Sequence, residues 1–138
     1  MNIVVDTNII FSALLNSEGK IGHLLFNARD IFQFYSVDFL KEEISNHRSK
    51  LMKISGFTEE QLIERADLVF KQIRFIDEYL IPSQQFLMAE QLASNVDIDD
   101  TPHIALSLHL QAKLWTGDKK LRSGLLFNFH SNKPSHPF

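Results

Sequence analysis

The chain has 138 residues, within the usual size of one domain and enough to bury roughly two-thirds of its unfolded surface in a single core. Apolar residues make up 44% and charged residues 22%, which excludes disorder by composition; the absence of Cys excludes a disulfide framework and a thiolate zinc site. A net charge of −3 gives no general electrostatic grip on nucleic acid, so any such role needs bound cations or local basic patches.

The N-terminus lacks the basic start and apolar run of a signal peptide, and no stretch approaches ~20 uninterrupted apolar residues. A cytoplasmic protein without a membrane anchor is the expectation. In chain order, Ile3-Val4-Val5 predicts a short buried strand that ends at Asp6-Thr7-Asn8, three helix-capping residue types. An apolar-periodic segment follows from Ile21 to Ala28, and Gln33-Phe34-Tyr35-Ser36 predicts a second strand. From Asp38, the residues Leu40, Ile44, His47, Leu51 and Ile54 recur at helical spacing and predict one long helix.

Gly56 ends that helix, and Thr58-Glu59-Glu60-Gln61 matches a capping box opening the next, with Leu62, Ala66, Val69 and Ile73 on one face. Arg74-Phe75-Ile76 reads as a third strand or the end of that helix, and Pro82-Ser83 starts a helix to about Ala93. Asp99-Asp100-Thr101-Pro102 opens a helix with Ile104, Ala105, Leu108 and Ala112 on its apolar face. Lys113 to Thr116 predicts a strand, Gly117 a turn, and Asp118 the cap of a last helix to about Leu126. Strands separated by helices imply a mostly parallel sheet covered on both faces, a three-layer α/β/α sandwich. Residues 1–129 form the expected single domain, and 130–138, with two Pro, a loosely attached tail.

In open parallel sheets functional groups gather at the carboxyl ends of the strands, where every strand-to-helix loop emerges. Asp6 and Asp118 occupy such positions, and Asp97, Asp99 and Asp100 cluster before a helix. Each alone is adequately explained as an N-cap or a solvated loop residue. Only one residue can cap the helix near Thr101, however, so the triplet carries more acid than capping requires. On the helix after Asp38, Glu43 lies about 60° from the centre of the apolar stripe, while Glu42 points away, so Glu43 borders the buried face. If Asp6, Glu43, Asp100 and Asp118 converge, neighbouring charges ~4 Å apart repel by about 4 kcal/mol at an effective dielectric near 20. A divalent cation relieves this repulsion. Hard oxygen ligands without Cys or paired His favour Mg²⁺ or Mn²⁺ over zinc, and one or two such ions activate water and polarise a phosphodiester.

Together, Val4-Val5-Asp6-Thr7-Asn8, the step Glu43-Ile44, Asp97-Ile98-Asp99-Asp100-Thr101-Pro102-His103-Ile104-Ala105-Leu106 and Leu114-Trp115-Thr116-Gly117-Asp118 resemble the PIN domain, in particular its VapC-like nucleases. The resemblance spans nearly the whole chain. It implies hydrolysis of single-stranded RNA by metal-activated water, with Mg²⁺ or Mn²⁺ as cofactor. It carries the four motif acids onto Asp6, Glu43, Asp100 and Asp118, and makes Asp97 an additional ligand or an acid that supports the ligands. Thr7, Asn8 and Thr116 match supporting polar positions, and Asp99 can exchange roles with Asp100. A toxin–antitoxin pair and a homodimer are further implications, as is the alternative of a PIN-like binding or regulatory module without nuclease activity. Ser107 stands where many members have Ala, a change expected to matter only for packing.

Other chemistries fit less well. Position 8 is Asn where a phosphoaspartyl enzyme of the haloacid-dehalogenase type needs a second Asp, the paired acids of a receiver domain are absent, and neither glycine-rich phosphate-binding pattern occurs. The six His are scattered and read as solvated or packing residues, with a substrate contact near the site as the alternative for His103, and Trp115 reads as core. Lys119, Lys120 and Arg122 are candidates for steering phosphate, whereas Arg48, Lys50 and Lys53 read as a solvated helix face.

Overall fold

The computed structural model describes residues 1–93 and 101–116. Among the described residues four strands, β1 (Asn2–Val5), β2 (Gln33–Val37), β3 (Ile73–Ile76) and β4 (Lys113–Trp115), pair in the order β3-β2-β1-β4, and each of these pairings is parallel. Between β1 and β2 run α1 (Thr7–Leu15) and α2 (Lys20–Asn27). Between β2 and β3 run α3 (Phe39–Asn46), α4 (Arg48–Ser55) and α5 (Glu59–Phe70). A short 3-10 turn (Glu78–Leu80), α6 (Ser83–Ala93) and α7 (Thr101–Leu110) lead to β4.

The alternation along β1 builds two cores. Ile3 and Val5 join Ile9, Leu14, Leu25, Leu40, Leu51, Leu62 and Val69 on one face of the sheet. Val4 joins Val37, Ala89, Ile104, Leu106 and Leu114 on the other. A strand buried on both faces has no polar side, which is why Ile3-Val4-Val5 is a continuous apolar run. The result is the α/β/α sandwich that the order of elements implies.

Three expectations need correction. The long helix from Asp38 is two helices, broken at His47, which closes α3 and opens α4. Ser45, Asn46 and His47 are weak helix formers. The His47 ring, with its proton on Nδ1, donates to the Glu43 carbonyl at 2.8 Å, and its backbone N–H goes to the carbonyls of Glu43 and Ser45. Across the break Leu51 stays buried, but His47 is exposed and Ile54 is 61% exposed. Secondly, α5 ends at Phe70, and Ile73 belongs to β3. Thirdly, α7 buries Thr101, His103 and consecutive residues through Ser107 rather than one apolar stripe, because it is covered by the sheet on one side and α6 on the other.

The turn chemistry follows the sequence more closely. Gly56 ends α4 at φ 76°, the left-handed conformation that glycine adopts without a Cβ penalty. The Thr58–Gln61 capping box is fully formed. In α2 the constraint is proximity, because a Cβ on Gly22 would lie 2.4 Å from the Ser17 carbonyl oxygen and 2.6 Å from Ser17 Cα. The obstacle is backbone, so it cannot rotate away. Gly22→Ala should therefore lower stability by about 1–3 kcal/mol through overpacking, measured as a shift of the urea midpoint at unchanged m-value.

Candidate active site at the carboxyl ends of β1 and β4

The connections leave β1 toward β2 and β3 on one side and return to β4 on the other, so β1 and β4 flank the point where the winding reverses. In sheets of this kind the crevice outside such strand ends is where ligands sit. Val5 pairs with Trp115 at the last register position, which sets Asp6 beside Thr116.

Asp6 is buried and bonded on several sides. Its backbone N–H extends the ladder to the Trp115 carbonyl at 3.2 Å, and its own carbonyl accepts from Ile10 at 3.3 Å. Oδ1 caps α1 by accepting the Ile9 N–H at 2.9 Å. Oδ2 accepts a short hydrogen bond from the Thr116 hydroxyl, across the junction of β1 and β4. The Ser36 hydroxyl donates to the Val5 carbonyl at 3.0 Å and pins the end of β1 from the β2 side. A buried carboxylate at a helix N-terminus is favoured by the N–H groups and dipole it meets there. Asp6 is thus an N-cap as well as a strand-end acid, the two functions falling on separate oxygens.

Glu43 joins this edge from α3. It is half-buried, whereas Glu42 is exposed, and Glu43 Oε1 accepts from the Thr7 hydroxyl at 3.1 Å. Asp6, Thr7, Glu43 and Thr116 are therefore connected at one end of the sheet. Asn8, on the first turn of α1, is exposed. Asp97, Asp99, Asp100, Asp118, Lys119, Lys120 and Arg122 lie outside the described residues, as do the turn at Gly117, the last helix and the tail. Among the described residues, no group of three or more His, Cys, Asp or Glu side chains is arranged to hold a metal ion. Of the basic candidates on α4, Arg48 pairs with Glu59 at 3.1 Å, and Lys50 and Lys53 are exposed.

Two polar groups of α7 are buried where the sequence did not mark burial. Thr101 and His103 are buried in α7, and among the described residues neither the Thr101 hydroxyl nor either His103 ring nitrogen has a hydrogen-bond partner. Desolvation lowers the His103 pKa from 6.5 to about 4, so the ring is neutral at physiological pH. A helix face occupied by consecutive buried residues has no periodicity to mark such a histidine. Ser107 Oγ donates to the Ile104 carbonyl at 2.8 Å, and Trp115 packs in the core with its ring 6.0 Å from that of Phe34.

No helix among the described residues is long and apolar enough to cross a membrane. A comparison with curated proteins gives no match. The fold is similar to that of a chain in the crystal structure of VapBC2 from Rickettsia felis bound to a DNA fragment from their promoter, with a TM-score of 0.72 and 15% identity over 90% of this chain and 93% of that one. The PIN domain family profile matches residues 4–130, from the middle of β1 past β4, and by this match across nearly its whole length the chain belongs to the PIN domain family.

Proposed function

We propose that this PIN domain is a divalent-metal-dependent endoribonuclease that hydrolyses phosphodiester bonds of single-stranded RNA, acting as the toxin of a toxin–antitoxin pair. The observation that carries the reading is Asp6, a buried carboxylate at the reversal point of a doubly wound sheet, with Oδ2 turned toward β4 and Glu43 tied alongside through Thr7. The antitoxin partner rests on the likeness to a chain found in the VapBC2 complex.

The side chains fit a hard cation, because Asp6, Thr7, Glu43 and Thr116 bring only oxygen donors to this edge. Asp6, Asp100 and Asp118 are the proposed ligands, with Asp97 a further one and Asp99 supporting. Mg²⁺ or Mn²⁺ at such a site polarises the phosphodiester and lowers the pKa of the attacking water. Thr116 orients Asp6 Oδ2, Thr7 orients Glu43, and Lys119 and Lys120 steer the phosphate backbone. Glu43 is the proposed catalytic acid on α3.

Cleavage of an end-labelled single-stranded RNA, dependent on Mn²⁺ or Mg²⁺ and suppressed by chelation, is the expected result for purified protein. Metal-independent cleavage, or none on any single-stranded RNA, would overturn the reading. Thr116→Val keeps the shape of the side chain but removes the hydroxyl from Asp6. Supporting groups of this kind are worth roughly 10–100-fold. A drop of that size in activity is expected in a protein that stays folded but loses about 1–3 kcal/mol of stability with the buried hydrogen bond, and full activity would remove Thr116 from the site.

A further inference from the structure

The carboxyl edge that carries the acids also carries two uncovered aromatic rings. Val37 pairs with Ile76 at the end of β2 and β3, so both chains leave the sheet side by side. Asp38 N–H donates to the Ile76 carbonyl at 3.0 Å, and Phe39 N–H donates to Glu78 Oε1 at 2.9 Å. Asp77 Oδ1 accepts the Tyr79 N–H at 2.9 Å and caps the 3-10 turn. These bonds fix the backbone under both rings without covering them: Tyr79 is 93% exposed and Phe39 43% exposed. Neither ring fills the core, although the backbone beneath each is held in place.

Their position is specific. Phe39 and Glu43 are four residues apart on α3, so they share a helix face about 6 Å apart along the axis. Glu43 meets Thr7, which follows Asp6 directly. From Asp6 to Tyr79 the residues therefore form a continuous path along one edge. Charge along that path does not favour phosphate, because Asp38, Asp77 and Glu78 are sequence neighbours of the two aromatic residues and the Lys41 ammonium lies over the Phe75 ring at 4.4 Å. A chain of net charge −3 has little electrostatic grip to offer there. Stacking needs none, since every base presents a π-face to an aromatic side chain.

We propose that Tyr79, assisted by Phe39, is a stacking platform for bases of the single-stranded RNA strand that flanks the scissile phosphate. The inference rests on the nuclease reading above. Steady-state cleavage by wild type, Tyr79→Ala, Phe39→Ala and Tyr79→Phe tests it, together with sedimentation velocity on each. Loss of one stacked base corresponds to roughly a tenfold rise in KM for Tyr79→Ala, with the loss falling on KM rather than kcat, a smaller rise for Phe39→Ala, and Tyr79→Phe close to wild type. An unchanged KM in Tyr79→Ala overturns the platform while leaving the nuclease intact. Equal impairment in Tyr79→Phe overturns it in favour of a hydroxyl contact. A change of oligomeric state in Tyr79→Ala at unchanged KM overturns it in favour of an interface between copies. A wild-type protein that cleaves no RNA overturns the nuclease reading and the platform with it.

Discussion

Asp6→Asn is expected to reduce RNA cleavage by at least roughly a hundredfold while leaving the protein folded, since groups that merely support a metal site are worth 10–100-fold and a direct ligand more. The substitution separates the two functions of this side chain. Asn is as good an N-cap as Asp, so its amide oxygen can still accept the Ile9 N–H, and its amide nitrogen can donate to the Thr116 hydroxyl that formerly donated to Oδ2. What is lost is the negative charge. Asp6→Ala, by contrast, should also cost about 1 kcal/mol of stability through the missing cap. Single-turnover cleavage and thermal melting of both variants check the prediction. Unimpaired cleavage by Asp6→Asn would reduce Asp6 to a capping residue.

The second large effect concerns stability rather than activity. His103 has a folded-state pKa near 4 against 6.5 for an unburdened imidazole, because its buried ring resists charging. Between those two values the unfolded chain binds more protons than the folded one, so stability is fully present above pH 6.5 and is lost as the pH falls toward 4. The linkage amounts to about 2 kcal/mol between pH 7 and pH 5, approaching about 3 kcal/mol below pH 4. Urea unfolding of wild type and His103→Asn across this range should show that slope in wild type and a shallower one in the variant. Parallel pH profiles would contradict the assignment of the slope to His103.

Local patterns are sufficient for β1 and for the Thr58 capping box, because caps and short apolar runs depend on neighbours in the chain. Helical angle puts Glu43 at the margin of the buried face and Glu42 outside it, and the structure has Glu43 half-buried against Thr7. The same stripe fails at His47 and Ile54, though not at Leu51, because a periodicity argument assumes an unbroken helix and His47 breaks it with a hydrogen bond of its own. The contact between Thr116 and Asp6 is less accessible still. It depends on β4 crossing to the free side of β1, a choice of sheet order that no local window encodes. Ser36 gives a weak signal, a hydroxyl at an inward strand position, which becomes meaningful once its neighbour is seen to be the Val5 carbonyl. His103 gives none, since its burial comes from α6 and the sheet closing over α7.

The central claim, that Asp6 helps to hold a divalent cation, is tested most directly by calorimetric titration of Mn²⁺ into the RNA-free protein, comparing wild type with Asp6→Asn and Asp118→Asn. The account predicts saturable binding by wild type that is strongly weakened in both variants, all three remaining folded. Binding of equal strength in wild type and Asp6→Asn, or no Mn²⁺ binding by wild type, would contradict it.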